Sequence, residues 1–568
     1  MNGAALDVAA VVLVVGFTIG IGVYGLRLAR TTSDFLVASR SVSPVWNASA
    51  IGGEYLSAAS FLGIAGLVMA YGADALWYPV GFVAGYLVLL LLVAAPLRRS
   101  GAYTLPDFAA ARLHSPVVRR VASLLVVLIG WLYLVPQLQG AGLTLRATTG
   151  APVWVGAVVV AVVVTVNVAG GGMRSATFVQ AFQYWLKLTA LAVPALFLVL
   201  AWQADGAPDL APPTGPVFRA ETTVRFDATV AVNVRERLAV EEAGVARVLE
   251  RGTERFGEGD VVVFPAGAPV PHVQSVESAT GDSWARPLSG AGGLEHPLYA
   301  AYALVLATFL GTMGLPHVLV RFYTNPDGTA ARRTTLFVLV LLGVFYLLPA
   351  LYGALGRLYA PELLLTGRTD AVVLSLPTAM LDGGGGALLE ALLVAGAFAA
   401  FLSTSSGLLV STAGVLVQDV FARRGAGTVR DFRRAAVVAA AVALSLALPA
   451  ASLPLGQVVG LAFAVAASTF CPLLVLGIWW RGLTAAGAVA GLLVGGGLAG
   501  AAVLGTLLGV VDGGGWPEAL LGQPAAWTVP SAFAVMVGVS LATRSQVPAD
   551  VGRTMLRLHA PEALGLRR

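Results

Sequence analysis

The chain has 568 residues, of which 57% are hydrophobic and 11% charged, with a formal net charge of +5. Soluble proteins carry about 25% charged residues, so a cytosolic enzyme, a nucleic-acid binder and a disordered chain are excluded. A mean hydropathy of +0.83 leaves a polytopic, all-α membrane protein.

Apolar runs near spanning length recur about thirteen times, at 7–26, 46–71, 75–97, 121–145, 152–169, 178–202, 298–320, 335–356, 387–420, 434–452, 455–480, 484–509 and 527–543. The first lacks a basic flank and is long enough to span, so it reads as a helix rather than a cleaved leader. The second is polar and glycine-rich from Ala48 to Ser60. An interruption is expected there near Gly52-Gly53. It would free carbonyls for a small cation and amides for a carboxylate. Glu54 lies beside it, a charge that is costly in a bilayer unless paired or solvated. Lys187, the only lysine, is expected to snorkel to the interface.

Residues 203–296 break the pattern, holding 14 of the 30 acidic residues and eight arginines. A Pro-rich linker at 207–216 leads into strand-like runs at 222–234 and 261–264 and a short helix near 238–250. The segment reads as a small α+β extracellular insert. Further on, Ser403 to Ser406 place four consecutive hydroxyls in an apolar helix. Hard cations take oxygen ligands, but such hydroxyls also bond back to their own helix. Glu390 is expected to meet water near the outer end of that helix, and His317 to be a structural or gating contact. With one cysteine, Cys471, no Cys/His cluster and no phosphate-loop motif, the chain has no disulfide framework and no nucleotide motor. No catalytic constellation is evident, so an enzyme is not expected.

Orientation follows from arginine. With the N-terminus outside, inner loops hold 23 arginines and the short outer loops three, Arg146, Arg357 and Arg368. The positive-inside rule then sets a cytoplasmic C-terminus in a cell (inner) membrane. No arginine is expected within the membrane.

The stretch Ala50-Ile-Gly-Gly-Glu-Tyr-Leu-Ser-Ala-Ala-Ser-Phe-Leu-Gly-Ile-Ala-Gly66 resembles the first core helix of sodium/solute symporters, and more narrowly the bacterial cation/acetate branch. Gly101-Ala-Tyr-Thr-Leu-Pro-Asp-Phe108, Tyr133-Leu-Val-Pro-Gln-Leu-Gln-Gly-Ala-Gly142 and Gly311-Thr-Met-Gly-Leu-Pro-His-Val-Leu-Val-Arg-Phe-Tyr-Thr324 agree. The resemblance implies two inverted five-helix repeats of the leucine-transporter type, within 46–202 and 297–480, the first helix of each broken. The divisions are then 1–202, the insert 203–296, 297–480, and 481–568 with two further helices and a cytoplasmic tail. It implies a Na⁺ site on the carbonyls of Ala48, Ile51 and Ala400 and the hydroxyls of Ser403 and Thr404, those hydroxyls favouring Na⁺ over H⁺ as coupling ion. Substrate contacts would fall on Tyr55 and Ser57, then on Gln137, Gln139, Thr308 and Thr312. The implied activity is cation-coupled symport of a small monocarboxylate such as acetate, propionate or pyruvate. It needs the lipid bilayer but no nucleic acid and no obligatory protein partner. Symport of proline, a sugar or pantothenate is the alternative. A transporter-like sensor is disfavoured, because only a short segment follows the last span.

Overall fold

The computed structural model describes residues 3–28, 38, 41–212, 215–226, 229–273, 281–289, 296–421, 428–448, 455–510 and 515–561. Among them, ten apolar helical runs are long enough to cross a membrane. The run Ala59–Arg99 holds the second half of one span and the whole of the next, separated by a 3-10 turn at Gly72–Leu76. Val153–Ala204 also holds two helices, because Gly172 turns the chain with φ 57° and ψ −146°, a conformation only glycine adopts without strain. The helix Val429–Ala447 carries four charges near its start, which makes it less apolar than those ten. With it, each of the thirteen expected spans has its helix.

The membrane part starts with α1 (Gly3–Leu28), then α2 (Pro44–Tyr55), α3 (Ile64–Tyr71), α4 (Trp77–Val88), α5 (Ala94–Arg99), α6 (Leu105–Leu113), α7 (Pro116–Thr149) and α8 (Val153–Ala204). Local chemistry sets the starts. Thr104 and Asp107 form a reciprocal capping box on α6, and Ser115 accepts from Val118 N ahead of Pro116 on α7. α7 ends on Gly150 in the left-handed conformation (φ 73°).

The insert folds as seven strands, β1 (Thr222–Arg225), β2 (Val230–Val234), β3 (Leu238–Glu242), β4 (Val245–Leu249), β5 (Gly252–Phe256), β6 (Val261–Phe264) and β7 (His272–Val273), followed by the short α9 (Gly281–Ala285). They form two sheets, ordered β1-β6-β3-β4 and β5-β2-β7, that share a core of Phe218, Phe226, Phe256 and Phe264. The helix expected near 238–250 is instead the β3–β4 hairpin, with Leu238 opposite Leu249. Ala243 and Gly244 both have positive φ (51° and 83°), the geometry of a tight hairpin turn. Leu365 of the membrane part lies in this sheet core. In return, Trp284 of α9 donates from Nε1 to Val68 O at 2.8 Å, at the end of α3.

The second half runs through α10 (Pro297–Gly314), α11 (Pro316–Val320), α12 (Gly328–Tyr359), α13 (Glu362–Leu365), α14 (Val372–Met380), α15 (Gly384–Leu416), α16 (Val429–Ala447) and α17 (Leu455–Trp479). Then come α18 (Ala485–Leu507), α19 (Gly515–Gly522), α20 (Ala525–Ala542) and α21 (Val551–His559). α15 is buried without a break from Leu393 to Val415, and packs on α8, α7, α1 and α2.

Among the described residues, four of the arginines counted for orientation are buried. Arg98, Arg112 and Arg321 come from the inner set and Arg357 from the outer. Arg98 and Arg112 bond backbone carbonyls, Arg112 Nε donating to Gly477 O at 2.9 Å. Arg357 lies with its guanidinium carbon 5.2 Å from the Trp284 ring centroid. The remaining balance keeps its sign by a wide margin.

Candidate functional site at two broken helices

α2 stops at Leu56 (φ −74°, ψ 81°), and the chain resumes as a wide turn, Ala59–Gly63, leading into α3. The break thus falls at Leu56-Ser57, three residues beyond the expected Gly52-Gly53. Those glycines serve packing instead. A Cβ on Gly53 would lie 2.1 Å from the carbonyl oxygen of Gln180, and one on Gly52 would lie 2.8 Å from the Tyr184 ring. α8 therefore rests directly on the backbone of α2. The second break is at Leu315 (φ −72°, ψ 116°) between α10 and α11, where Pro316 disfavours helical geometry in its predecessor.

The two broken helices meet. The Tyr55 and Thr312 hydroxyls are 2.7 Å apart. Asn47 Nδ2 donates to Arg321 O at 3.1 Å, and Thr324 Oγ1 donates to Asn47 Oδ1 at 3.2 Å.

Behind α2 lies a buried charged cluster. Arg321 Nε donates to Glu54 Oε2 at 2.5 Å, and both side chains are 1% exposed. Arg321 also donates to Thr177 Oγ1 at 2.8 Å and to Gln180 Oε1. Glu54 fits because α15 has Gly407 opposite, where a Cβ would lie 1.9 Å from Glu54 Oε1. Lys187 does not snorkel. It is fully buried, and its Nζ donates to Leu56 O at 2.7 Å, to Ser403 Oγ at 2.9 Å and to Gly53 O. The expectation of a membrane without arginine also fails, since Arg321 sits in this cluster. Sequence reasoning placed Lys187 at the interface and Arg321 in an inner loop, and the structure brings both into this cluster. A usable signal was present on α8, where Gln180, Gln183, Tyr184 and Lys187 fall at i, i+3, i+4 and i+7, one face of a helix.

Of the residues to which the resemblance assigns a sodium ion, Ser403 and Thr404 face the end of α2. Thr404 Oγ1 donates to Glu54 O at 2.7 Å, and Ser403 Oγ donates to Ala400 O at 3.1 Å while accepting from Lys187. Ala48 and Ile51 lie within the helical part of α2, upstream of the break. An ammonium therefore already holds one of the two hydroxyls assigned to the ion. The oxygens at the α2–α15 contact, as arranged, fit that ammonium and do not fit a sodium ion beside it.

On the other side of the break, Tyr133 Oη donates to Ser57 Oγ at 3.3 Å, and Ala58 N donates to Gln137 Oε1 at 3.2 Å. The Gln137 Nε2 is buried with no hydrogen-bond partner among the described residues. Such a donor is costly to leave unpaired. Tyr55 meets Tyr86, Phe82 and Phe463 edge-on, with ring centroids 4.9, 5.8 and 6.2 Å away. Tyr55, Ser57, Gln137 and Thr312 are thus brought to the breaks. Gln139 and Thr308 are not. Gln139 Nε2 reaches back to Ala447 O of α16 at 3.4 Å, and the Thr308 hydroxyl bonds Leu304 O of its own helix at 2.8 Å while packing against Gly81. His317 is buried with its ring 5.3 Å from that of Tyr133. Glu390 is half-buried.

Two interrupted helices facing each other inside a helical membrane body define a transporter of the inverted-repeat class. The sodium:solute symporter family model matches residues 35–206 and 270–495, and the chain belongs to that family. Among curated relatives, an uncharacterised symporter, YwcA, of Bacillus subtilis is 31% identical over 489 residues, 85% of this chain and 82% of that protein. A monocarboxylic acid transporter of Corynebacterium glutamicum is 30% identical over 536 residues, 89% of this chain and 86% of that one. Among solved structures, a Na⁺-coupled sialic acid symporter in a substrate-bound, outward-open state superposes with a TM-score of 0.60 at 14% identity, covering 94% of this chain and 98% of that one. That likeness establishes the fold.

Proposed function

We propose that this symporter carries a small monocarboxylate, such as acetate, propionate or pyruvate, by cation-coupled alternating access. The observation behind this reading is that Gln137 Nε2 has no hydrogen-bond partner among the described residues while its Oε1 accepts from Ala58 N, just past the break. A carboxylate there would meet a side-chain N–H, the freed amides of a half-helix and the positive end of its dipole. The hydroxyls of Ser57 and Tyr133 offer further donors, and the rings around Tyr55 offer an apolar wall for one or two carbons. Arg321 is not free to clamp a second carboxylate, because Glu54 already holds it. That favours a monoanion over a dicarboxylate. The Corynebacterium relative, a monocarboxylic acid transporter, supports the same reading.

The test is uptake of labelled acetate into proteoliposomes under imposed ion gradients, with propionate, pyruvate, lactate, proline and glucose as competitors. Gln137→Ala should raise the KM for acetate about tenfold or more, one charge-assisted hydrogen bond being worth roughly 1.5–3 kcal/mol. Competition by proline or glucose but not by propionate would sink the monocarboxylate assignment.

We further propose that the N-terminus and the insert 203–296 face the exterior and the C-terminus the cytoplasm, on the arginine balance. Cys471 is buried in α17, so an added cysteine reports alone. One placed at Glu258 should react with an impermeant maleimide in intact cells, and one at Arg544 only after permeabilisation. The reverse labelling would invert the orientation.

A further inference from the structure

Lys187 is the only lysine of the chain, and it lies against the end of a broken membrane helix. Its three N–H donors find three oxygens, the carbonyls of Gly53 and Leu56 and the hydroxyl of Ser403. Gly53 lies in the last turn of α2 and Leu56 is the residue that ends it, where backbone oxygens lose their intrahelical partners and carry the negative end of the helix dipole. The hydroxyl comes from α15. Its own proton goes to Ala400 O at 3.1 Å, so its lone pairs turn toward the ammonium. Carbonyl and hydroxyl oxygens contributed by two elements are what a hard metal cation uses. Here they converge on a nitrogen.

The charges nearby sharpen the point. From α2, Glu54 faces this region but is bound to Arg321, which follows α11. That pair is neutral, so the ammonium is the net charge of the cluster. α15 contributes hydroxyls at this level, its Glu390 lying thirteen residues away, about 20 Å along a helix. The acidic residue of α1, Asp7, interacts with Glu390 at that distant end. A sodium ion on Ser403 would share one oxygen with a second positive charge and would have no further carboxylate to offset it.

Resting on the transport reading above, we propose that the Lys187 ammonium is a tethered cation standing in for sodium at the α2–α15 contact, so that transport by this chain does not require sodium. Like a bound ion, the ammonium holds the end of α2 against α15. It also leaves a fixed positive charge next to the break, where an anionic substrate would lie.

Two measurements test this. In thermal unfolding of the purified protein, NaCl in place of choline chloride should leave the wild-type Tm unmoved. Lys187→Ala should melt lower and be raised by NaCl, because the emptied oxygens then take the ion and binding to the native state raises Tm. A rise in the wild-type Tm, or none in the folded variant, overturns the proposal. Should the variant not fold, the wild type decides. In proteoliposomes at fixed pH and membrane potential, replacing Na⁺ by choline should change initial acetate uptake by less than about twofold, well under one tenfold step in an equilibrium. A larger stimulation by Na⁺ overturns it. If the wild type moves no monocarboxylate under any gradient, the transport reading fails, and the melting measurement still judges the lysine.

Discussion

Glu54→Ala should leave little folded protein. The change removes the carboxylate that Arg321 Nε reaches at 2.5 Å, in a place where both side chains are 1% exposed. Arg321 would keep its bonds to Thr177 and Gln180, both neutral, and would hold a buried charge with no counter-charge. Removing one partner of a buried pair costs about 3–5 kcal/mol, a large share of the roughly 5–15 kcal/mol that holds a domain together. Arg321→Ala should do comparable damage, stranding a carboxylate whose Oε1 already lacks a hydrogen-bond partner among the described residues. The double change Glu54→Leu with Arg321→Met removes both charges and should recover most of the loss, since apolar replacements of buried pairs are often neutral. Thermal unfolding and monodisperse yield in detergent measure all three. Single variants that melt within a degree of wild type would show that water reaches the pair.

The second large effect concerns Gly53. Its alanine Cβ would lie 2.1 Å from the carbonyl oxygen of Gln180, a backbone atom that no rotamer change moves. α2 and α8 would have to separate, and the Lys187 contacts to Gly53 and Leu56 would separate with them. Overpacking costs about 1–3 kcal/mol or more, so Gly53→Ala should lower Tm and cut uptake at least tenfold. Gly16 on α1 has no atom within 4 Å of its added Cβ, and Gly16→Ala serves as the control that should behave as wild type. Equal uptake by the two variants would mean the helices at the break move freely apart.

The spans were legible because a run of about twenty apolar residues has few alternatives in a bilayer. Within them, the turn at Gly172 fell between the fifth and sixth expected runs. What escaped was pairing across the chain. Arg321 stands at the end of an apolar run and looks like a loop charge, while its partner Glu54 is 267 positions away. Neither local spacing nor composition joins them. The break slipped from Gly52-Gly53 to Leu56-Ser57 because glycine weakens a helix and also admits a neighbour, and α8 took the second use. Gln137 and Gln139 are two residues apart, so they cannot share a helix face. The sequence alone does not say which of them faces the break. The 238–250 segment was misread as a helix although Leu238 and Val240 have the two-residue spacing of a strand. The Ala243-Gly244 turn, a hairpin signal, was the clue passed over.

The insert is tied to the membrane body by side chains as well as by its two ends. Trp284 bonds the end of α3, and Leu365 completes the core of the sheets. An antibody fragment raised against the strands would therefore grip the transporter through a stiff joint. For electron cryomicroscopy that joint has practical value. A 58.2 kDa chain with most of its mass in a detergent belt offers little for image alignment, whereas a rigid handle outside the belt fixes the orientation of each particle.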